Sequence, residues 1–397
     1  MGKLSIADLE LTGCTVLMRV DFNVPIRDGS VGNDKRVVAA LPTIRHALEA
    51  GARVILMSHL GRPNGEAKPE FSLRPVAECL RRHLGREVGF VDDCVGAAVE
   101  ARVEAMRPGD VLLLENLRFH SGEQKPASEP GFADALARLG DVYVNDAFGT
   151  AHRAHASMVA VAKHFEQRAA GFLLVKELEY FDSALSDPAR PFVAVLGGAK
   201  VGDKISVLQN LVDKVDRLIV GGAMAYTFLR AQGIEVGDSR VEEDKLDIAA
   251  GIIAAAQEKS VDLLLPVDHV CGRVFDEATP PEVVHGAAIA PGLMGLDIGP
   301  ETADVYAQAI AAAGTVIWNG PMGVFEWDAF SAGTMRLARA CAESSALTIV
   351  GGGDSASAAK KSGLADRFDH ISTGGGASLE LLEGKTLPGV AVLSDVQ

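Results

Sequence analysis

Long apolar runs are missing from the sequence. No stretch reaches the roughly 18 residues that cross a bilayer, and the opening MGKLSIADLE has no h-region. Neither a membrane span nor secretion is expected. Cysteine is sparse: Cys14, Cys79, Cys94, Cys271 and Cys341 are scattered and never form a C-x-x-C pair. That pattern excludes a disulfide framework and a structural zinc site, and it fits reduced thiols in the cytoplasm. Basic charge is short, with 38 Lys/Arg against 53 Asp/Glu and a net charge of −15, which argues against a nucleic-acid partner. With 17 prolines and 42 glycines the chain is not of low complexity, and no short-period repeat points to a solenoid or propeller. Two nucleotide motifs are also missing. The GKT at Gly384 to Thr386 has Leu379 where a P-loop needs glycine, and no G-x-G-x-x-G occurs. A P-loop NTPase is therefore excluded, and an NAD-dependent dehydrogenase loses its main support.

What is present is the balance of a globular chain of two or three domains: 397 residues, 48% hydrophobic and 23% charged. The charge is uneven. Residues 1–180 carry 22 Lys/Arg against 24 Asp/Glu, whereas residues 181–397 carry 16 against 29. An anionic ligand meets less repulsion from the first half, and any anion site in the second must be local. Apolar β-branched runs alternate with helical patterns, the signature of stacked βαβ units and a mostly parallel sheet. Strands are predicted near 15–21, 53–58, 111–115 and 141–145, then near 192–196, 217–220, 261–265, 315–318, 347–350 and 369–372. Val37, Leu41, Ile44 and Leu48 recur at helical spacing before Gly51, and helices are predicted over 244–258 and 301–313. Positions 171–191 read as one amphipathic helix ended by Pro188 and Pro191, which places the junction of the two halves there.

Ligands of open α/β sheets bind beyond the carboxyl ends of the strands. In the first half those positions read DFN (Asp21 to Asn23), SHLGR (Ser58 to Arg62), ENLRFH (Glu115 to His120) and NDAFGTAHR (Asn145 to Arg153). Arg62, Arg118 and Arg153, with His59, form the kind of set that grips a phosphate or carboxylate by charge-assisted hydrogen bonds. In the second half they read LGGAKVGDK (Leu196 to Lys204), VGGAMA (Val220 to Ala225), WNGPMGVFE (Trp318 to Glu326), VGGGDS (Val350 to Ser355) and STGGGAS (Ser372 to Ser378). Glycine lets a backbone approach a ligand closely, and helix N-termini offer free N–H groups to phosphate oxygens. Other candidates carry less. His152 and His155 have H-x-x-H spacing without an evident third ligand, and Cys94 has no His partner that the sequence identifies. Asp92–Asp93 reads as a solvated turn, and Trp318 and Trp327 as packing residues.

RVDFNVP (19–25), MSHLGRP (57–63), ENLRFH (115–120), NDAFGTAHRAH (145–155), LGGAKVGDKI (196–205), MGLDIGPET (294–302), WNGPMGVFEW (318–327), GGGDS (351–355) and STGGGASLELLEGK (372–385) resemble phosphoglycerate kinase, in order along nearly the whole chain. The resemblance implies two Rossmann-like, doubly wound parallel-sheet domains joined by a hinge helix. Residues 1–170 would bind phosphoglycerate, 171–188 would form the interdomain helix, 189–377 would bind nucleotide, and 378–397 would return to the first domain. It implies reversible phosphoryl transfer between 1,3-bisphosphoglycerate and MgADP, giving 3-phosphoglycerate and MgATP. It also implies a cytoplasmic monomer with no nucleic-acid or membrane partner.

Roles follow by position. Asp21 and Asn23, with the Phe22 backbone, resemble the loop that holds the glycerate hydroxyl and carboxylate. His59, Arg62, Arg118 and Arg153 resemble the patch for the non-transferred phosphate, with Leu60 and Gly61 making the turn. Arg36 matches the arginine that neutralises the phosphoryl group in flight, Lys200 the lysine that follows it, and Lys204 the one on the nucleotide phosphates. Gly295 would line the adenine pocket and Glu326 meet the ribose. Gly352, Gly353, Asp354 and Ser355 match the phosphate loop, with Asp354 the expected Mg²⁺ ligand, and Gly353 and Gly375 would add N–H groups to the cage. Leu293 stands where relatives often carry Trp, and Ser355 where others carry Thr. The alternatives left are an inactive two-domain anion- or nucleotide-binding protein of the same fold, and a dehydrogenase. The chemistry favours the kinase reading, because a carboxylate nucleophile of pKa about 3.5 is already ionised at pH 7 and needs no general base.

Overall fold

The computed structural model describes residues 2–396; Met1 and Gln397, the outer ends of the first and last expected segments, lie outside them. The chain forms two compact units, Met1–Glu179 with Thr386–Gln397, and Tyr180–Lys385. Among the described residues no helix is long and apolar enough to cross a membrane.

The main sheet of the first unit has six strands: β1 (Thr15–Arg19), β2 (Arg53–Met57), β3 (Gly89–Phe90), β4 (Val111–Leu113), β5 (Val142–Asn145) and β6 (Arg168–Ala170). They pair in parallel in the order β3-β4-β2-β1-β5-β6. Both faces of a parallel sheet are covered by crossover helices, so its strands are apolar on both sides rather than alternating. Every residue of β1, β4 and β5 is buried accordingly. Helix α1 (Lys35–Glu49) lays Val37, Leu41, Ile44 and Leu48 on the core, at the spacing read from the sequence.

The C-terminal segment closes this unit. Asn145 Nδ2 donates to the Gly389 carbonyl at 2.9 Å, the Ser394 N–H to Arg168 O at 2.9 Å, and the Leu4 N–H to Ser394 O at 2.8 Å. Thr386 is the first residue of that segment; the preceding helix, Gly375–Leu382, belongs to the second unit.

The boundary between the units falls within α2 (Phe172–Ser186), which ends two residues before Pro188, where helical backbone is disfavoured. Its first turn is capped by buried groups. Leu173 and Leu174 N–H donate to Asp146 Oδ1 at 2.9 and 3.2 Å, and the Phe172 N–H to Thr43 Oγ1 at 2.9 Å.

The second unit carries β7 (Phe192–Leu196), β8 (Arg217–Val220), β9 (Asp262–Leu264), β10 (Asp268–Gly272), β11 (Glu282–His285), β12 (Met294–Ile298), β13 (Thr315–Asn319), β14 (Leu347–Val350) and β15 (His370–Ile371). Six of them form a parallel sheet in the order β9-β8-β7-β13-β14-β15. The order reverses between β7 and β13, the switch point where doubly wound sheets open a crevice. The antiparallel sheet β11-β10-β12 lies outside the sequence-based expectation. Strands β3 and β6 do too, being only two and three residues long.

Candidate active site

In the first unit, four neighbouring strands, β4-β2-β1-β5, end on the loops singled out by sequence. Hydrogen bonds tie these loops together. Arg36 Nη1 lies 3.1 Å from both Asp21 carboxylate oxygens and donates to the Asn23 carbonyl at 3.1 Å. The Gly61 N–H donates to Asn23 Oδ1 at 2.9 Å, and Arg118 Nη1 to the Gly61 carbonyl at 2.8 Å. Asn116 Nδ2 fixes the same turn through the Leu60 carbonyl at 2.7 Å. Phe22 is buried with both backbone groups used inside the unit: its N–H donates to Ser58 Oγ at 2.8 Å and its carbonyl accepts from the Val24 N–H at 2.8 Å.

The cluster is crowded with positive charge. Burial, then the fields of Arg19, Arg118 and Arg36, hold His59 well below the usual imidazole range. Burial and Arg19 draw Arg118 down to about 10, with Arg62 adding to the repulsion. His155 falls to about 4 through burial and the charges of Arg118, Arg19 and Arg153. Arg62 and Arg153 are exposed and make no side-chain hydrogen bond or ion pair among the described residues. Asp21, Asn23, Arg36, His59, Gly61, Arg62, Arg118 and Arg153 thus share one cationic surface that an anion would relieve.

In the second unit, a cavity of about 640 Å³ opens beside the switch point. Gly198, Gly295, Met322, Glu326, Trp327 and Asp354 are among its lining residues, and the volume suits a nucleotide-sized ligand. Gly295 belongs there because an added methyl group would collide with the Tyr226 hydroxyl. Its N–H donates to Ser239 Oγ at 2.9 Å. Leu293 is buried beside the cavity wall with Tyr226, Val236 and Ile289. Trp327, read as a packing residue, instead lines the cavity, its ring 4.8 Å from Phe275.

Beyond β14, Gly352 has φ of +90°, which favours glycine, and starts the helix Gly353–Lys361. Space in front of Gly353 and of Gly375, each the first residue of a helix, is open. Asp354 is exposed with no side-chain hydrogen bond or ion pair among the described residues, and Lys200 likewise. Ser355 is buried, and its Oγ accepts the Gly320 N–H at 2.5 Å. Lys204 hydrogen-bonds to the Asn319 side chain, and burial lowers its ammonium to about 8, with Asp354 acting against that shift. Of the residues expected from sequence to meet the nucleotide, Gly295, Glu326 and Asp354 line the cavity, whereas Lys200, Lys204, Gly352, Gly353, Ser355 and Gly375 do not.

Sequence reasoning missed several residues. Asn319 joins Lys204 to the Gly351 carbonyl, which its Nδ2 reaches at 3.0 Å. Arg19, Glu123 and Ser157 form a buried network under the basic cluster. The only available signal was position, since Arg19 ends the first strand and opens the RVDFN motif. Asp93 is more than a solvated turn: its carboxylate lies 2.7 Å from His120 Nε2, and Glu129 takes Nδ1 at 2.8 Å. Cys94 lies beside them, but burial and the Asp93 charge push its thiol well above the usual range, which disfavours a nucleophilic role.

A family model described as phosphoglycerate kinase matches residues 6–385. The chain is 58% identical over 395 residues to a phosphoglycerate kinase of Moorella thermoacetica, covering all of both chains. It is 57% identical over 393 residues to one of Anaeromyxobacter dehalogenans, covering 98% of this chain and 99% of that one. The structure of phosphoglycerate kinase from Coxiella burnetii superposes with a TM-score of 0.91 at 45% identity, covering 98% of each chain. That from Pyrococcus horikoshii does so at 0.84 and 32%, again over 98% of each chain. With cationic loops on one parallel sheet, a glycine-lined cavity on the other and these matches along its whole length, the chain belongs to the phosphoglycerate kinase family.

Proposed function

We infer that the chain catalyses reversible transfer of the acyl phosphate of 1,3-bisphosphoglycerate to MgADP, giving 3-phosphoglycerate and MgATP. The observation that carries this reading, in a chain of this family, is the pair of unpartnered guanidiniums, Arg62 and Arg153, on a cluster already crowded with charge. Such a cluster suits the non-transferred phosphate, with His59, Arg118 and the Leu60–Gly61 turn below it.

Asn23 Oδ1 is occupied by Gly61, which leaves its amide N–H groups for the substrate carboxylate. Asp21 orients Arg36 through one nitrogen, so the remaining guanidinium donors can face the phosphoryl group in flight. Phe22 acts as a buried spacer between Asp21 and Asn23. Lys200, free of partners, follows the transferring group, and the Gly353 and Gly375 N–H groups complete its cage. Lys204, Gly352 and Ser355 position the nucleotide phosphates, Glu326 the ribose, and Gly295 the adenine. Asp354, an exposed carboxylate beside the open helix N-terminus, is the hard oxygen donor that would hold Mg²⁺. The ion, when bound, supplies charge neutralisation on the phosphate oxygens.

No side chain is asked to remove a proton, because the attacking carboxylate is already ionised. The enzyme so described works as a cytoplasmic monomer on small anions. Calorimetric titration of the Asp354→Ala protein tests the assignment. MgADP affinity should fall at least about tenfold, while 3-phosphoglycerate binding stays within about twofold. Equal weakening of both would refute the two-site reading.

A further inference from the structure

Arg19 ends β1 directly below the Asp21–Asn23 loop, and its side chain has no exposed surface. It is therefore not itself placed to touch an anion. Its Nε donates to Ser157 Oγ at 2.8 Å, its Nη1 donates to the Val20 carbonyl, and its Nη2 lies 3.2 Å from His59 Nδ1. The counter-charge is Glu123, equally buried, with Oε1 3.8 Å from Arg19 Nη2. Glu123 is held in turn by Ser157, whose Oγ donates to Oε1 at 2.7 Å and whose N–H donates to Oε2 at 2.9 Å. Ser157 sits in a π-helical turn, Ala156–Ala160, and the Tyr143 hydroxyl donates to its carbonyl at 2.8 Å. Arg19, Glu123, Ser157 and Tyr143 are all fully buried and engaged, as a buried ion pair requires.

A guanidinium has donors and no acceptor, so His59 Nδ1 must be the acceptor in this contact. The ring proton is then on Nε2. That nitrogen makes no hydrogen bond among the described residues, yet it is not sealed from solvent. Burial and the surrounding arginines also keep the ring neutral.

We propose that Arg19 is a positioning residue for His59: its Nη2–H selects the tautomer that presents Nε2–H to the anionic end of the substrate, while Glu123 and Ser157 lock the guanidinium in place. The proposal rests on the phosphoglycerate reading above. With the opposite tautomer, His59 would turn a lone pair toward a phosphate oxygen and lose its bond. Lysine at position 19 would keep the charge but not the planar fork that reaches Ser157, Val20 and His59 together.

Two measurements test this on the full chain. Long-range ¹H–¹⁵N spectra of the histidine-labelled wild type should show a pyrrole-type Nε2 and a pyridine-type Nδ1 for His59 at neutral pH. The reverse pattern, or an averaged one, overturns the proposal. In calorimetry, Arg19→Lys should weaken 3-phosphoglycerate binding about tenfold, the loss of one hydrogen bond to a charged group, and leave MgADP within about twofold. Made in a His59→Ala background, Arg19→Lys should add less than about twofold, because its effect passes through His59. An equal further loss in that background contradicts the proposal, and so does parallel weakening of both ligands. Where Arg19→Lys fails to fold, the wild-type spectrum decides alone. Wild-type protein that binds no 3-phosphoglycerate would fail the functional reading, whereas the tautomer would still be read directly from the spectrum.

Discussion

Replacing Asp297 by asparagine isolates the cost of a carboxyl buried beneath the cavity of the second unit. Asp297 ends β12 but for one residue and is 1% exposed. It accepts the Ile298 N–H at 2.9 Å and the Gly333 N–H at 2.8 Å, and it packs against Gly323 of the cavity-lining loop. Those donors favour the ionised form, but burial outweighs them and raises the group from 3.8 to about 8. The folded state therefore binds the proton more tightly than the unfolded chain, and the resulting stabilisation is full below about pH 4.

That stabilisation is lost as pH rises through about 8. At roughly 1.4 kcal/mol per unit, the three units from pH 5 to 8 are worth ~4 kcal/mol. In a unit of about 200 residues this corresponds to about 10 °C in Tm. The asparagine side chain cannot ionise, and its amide oxygen still accepts one of the two N–H groups. Scanning calorimetry of wild type and Asp297→Asn should give similar Tm values near pH 5 and a variant more stable by up to about 10 °C near pH 8. Profiles that run parallel across that range would refute the reasoning.

Two other outcomes follow from the charges at the site. Lys204 carries its charge fully only below about 8, so wild-type MgADP affinity should weaken as pH rises through that value. Lys204→Met should bind about tenfold more weakly at pH 7 and lose that dependence; an identical slope in calorimetry would show that another group titrates. Arg62→Ala and Arg153→Ala remove exposed, unpartnered guanidiniums, so Tm should stay within about 1 °C while 3-phosphoglycerate affinity falls about tenfold or more. A fall in Tm with unchanged affinity would make them structural residues.

Long central strands were legible because parallel sheets demand uninterrupted apolar runs, and TVLMR, VILM and FVAVL supply them. The ends of those strands located most of the candidate site, since loops at one sheet edge become neighbours whatever their separation in sequence. Edge strands such as Gly89–Phe90 were not legible, because two residues carry no periodic signal. The antiparallel sheet around Asp268–Gly272 was hidden by mixed polar residues and a bulge between Val270 and Cys271. The buried roles of Arg19, Glu123 and Asp297 were not legible for another reason. A charged residue reads as solvent-facing until its partner is known, and Glu123 meets Arg19 and Ser157 only through the fold.

The central claim is that Arg36 stabilises the phosphoryl group during transfer rather than merely holding substrate. Its most direct test is transfer from MgATP to 3-phosphoglycerate, coupled to NADH oxidation through a downstream dehydrogenase, with Arg36→Ala purified in the same way. The account predicts robust wild-type turnover, kcat lowered roughly 10³-fold in the variant, and binding of 3-phosphoglycerate within about tenfold of wild type. A variant that keeps its kcat and loses only affinity would contradict it, as would a wild type that binds both ligands and transfers nothing.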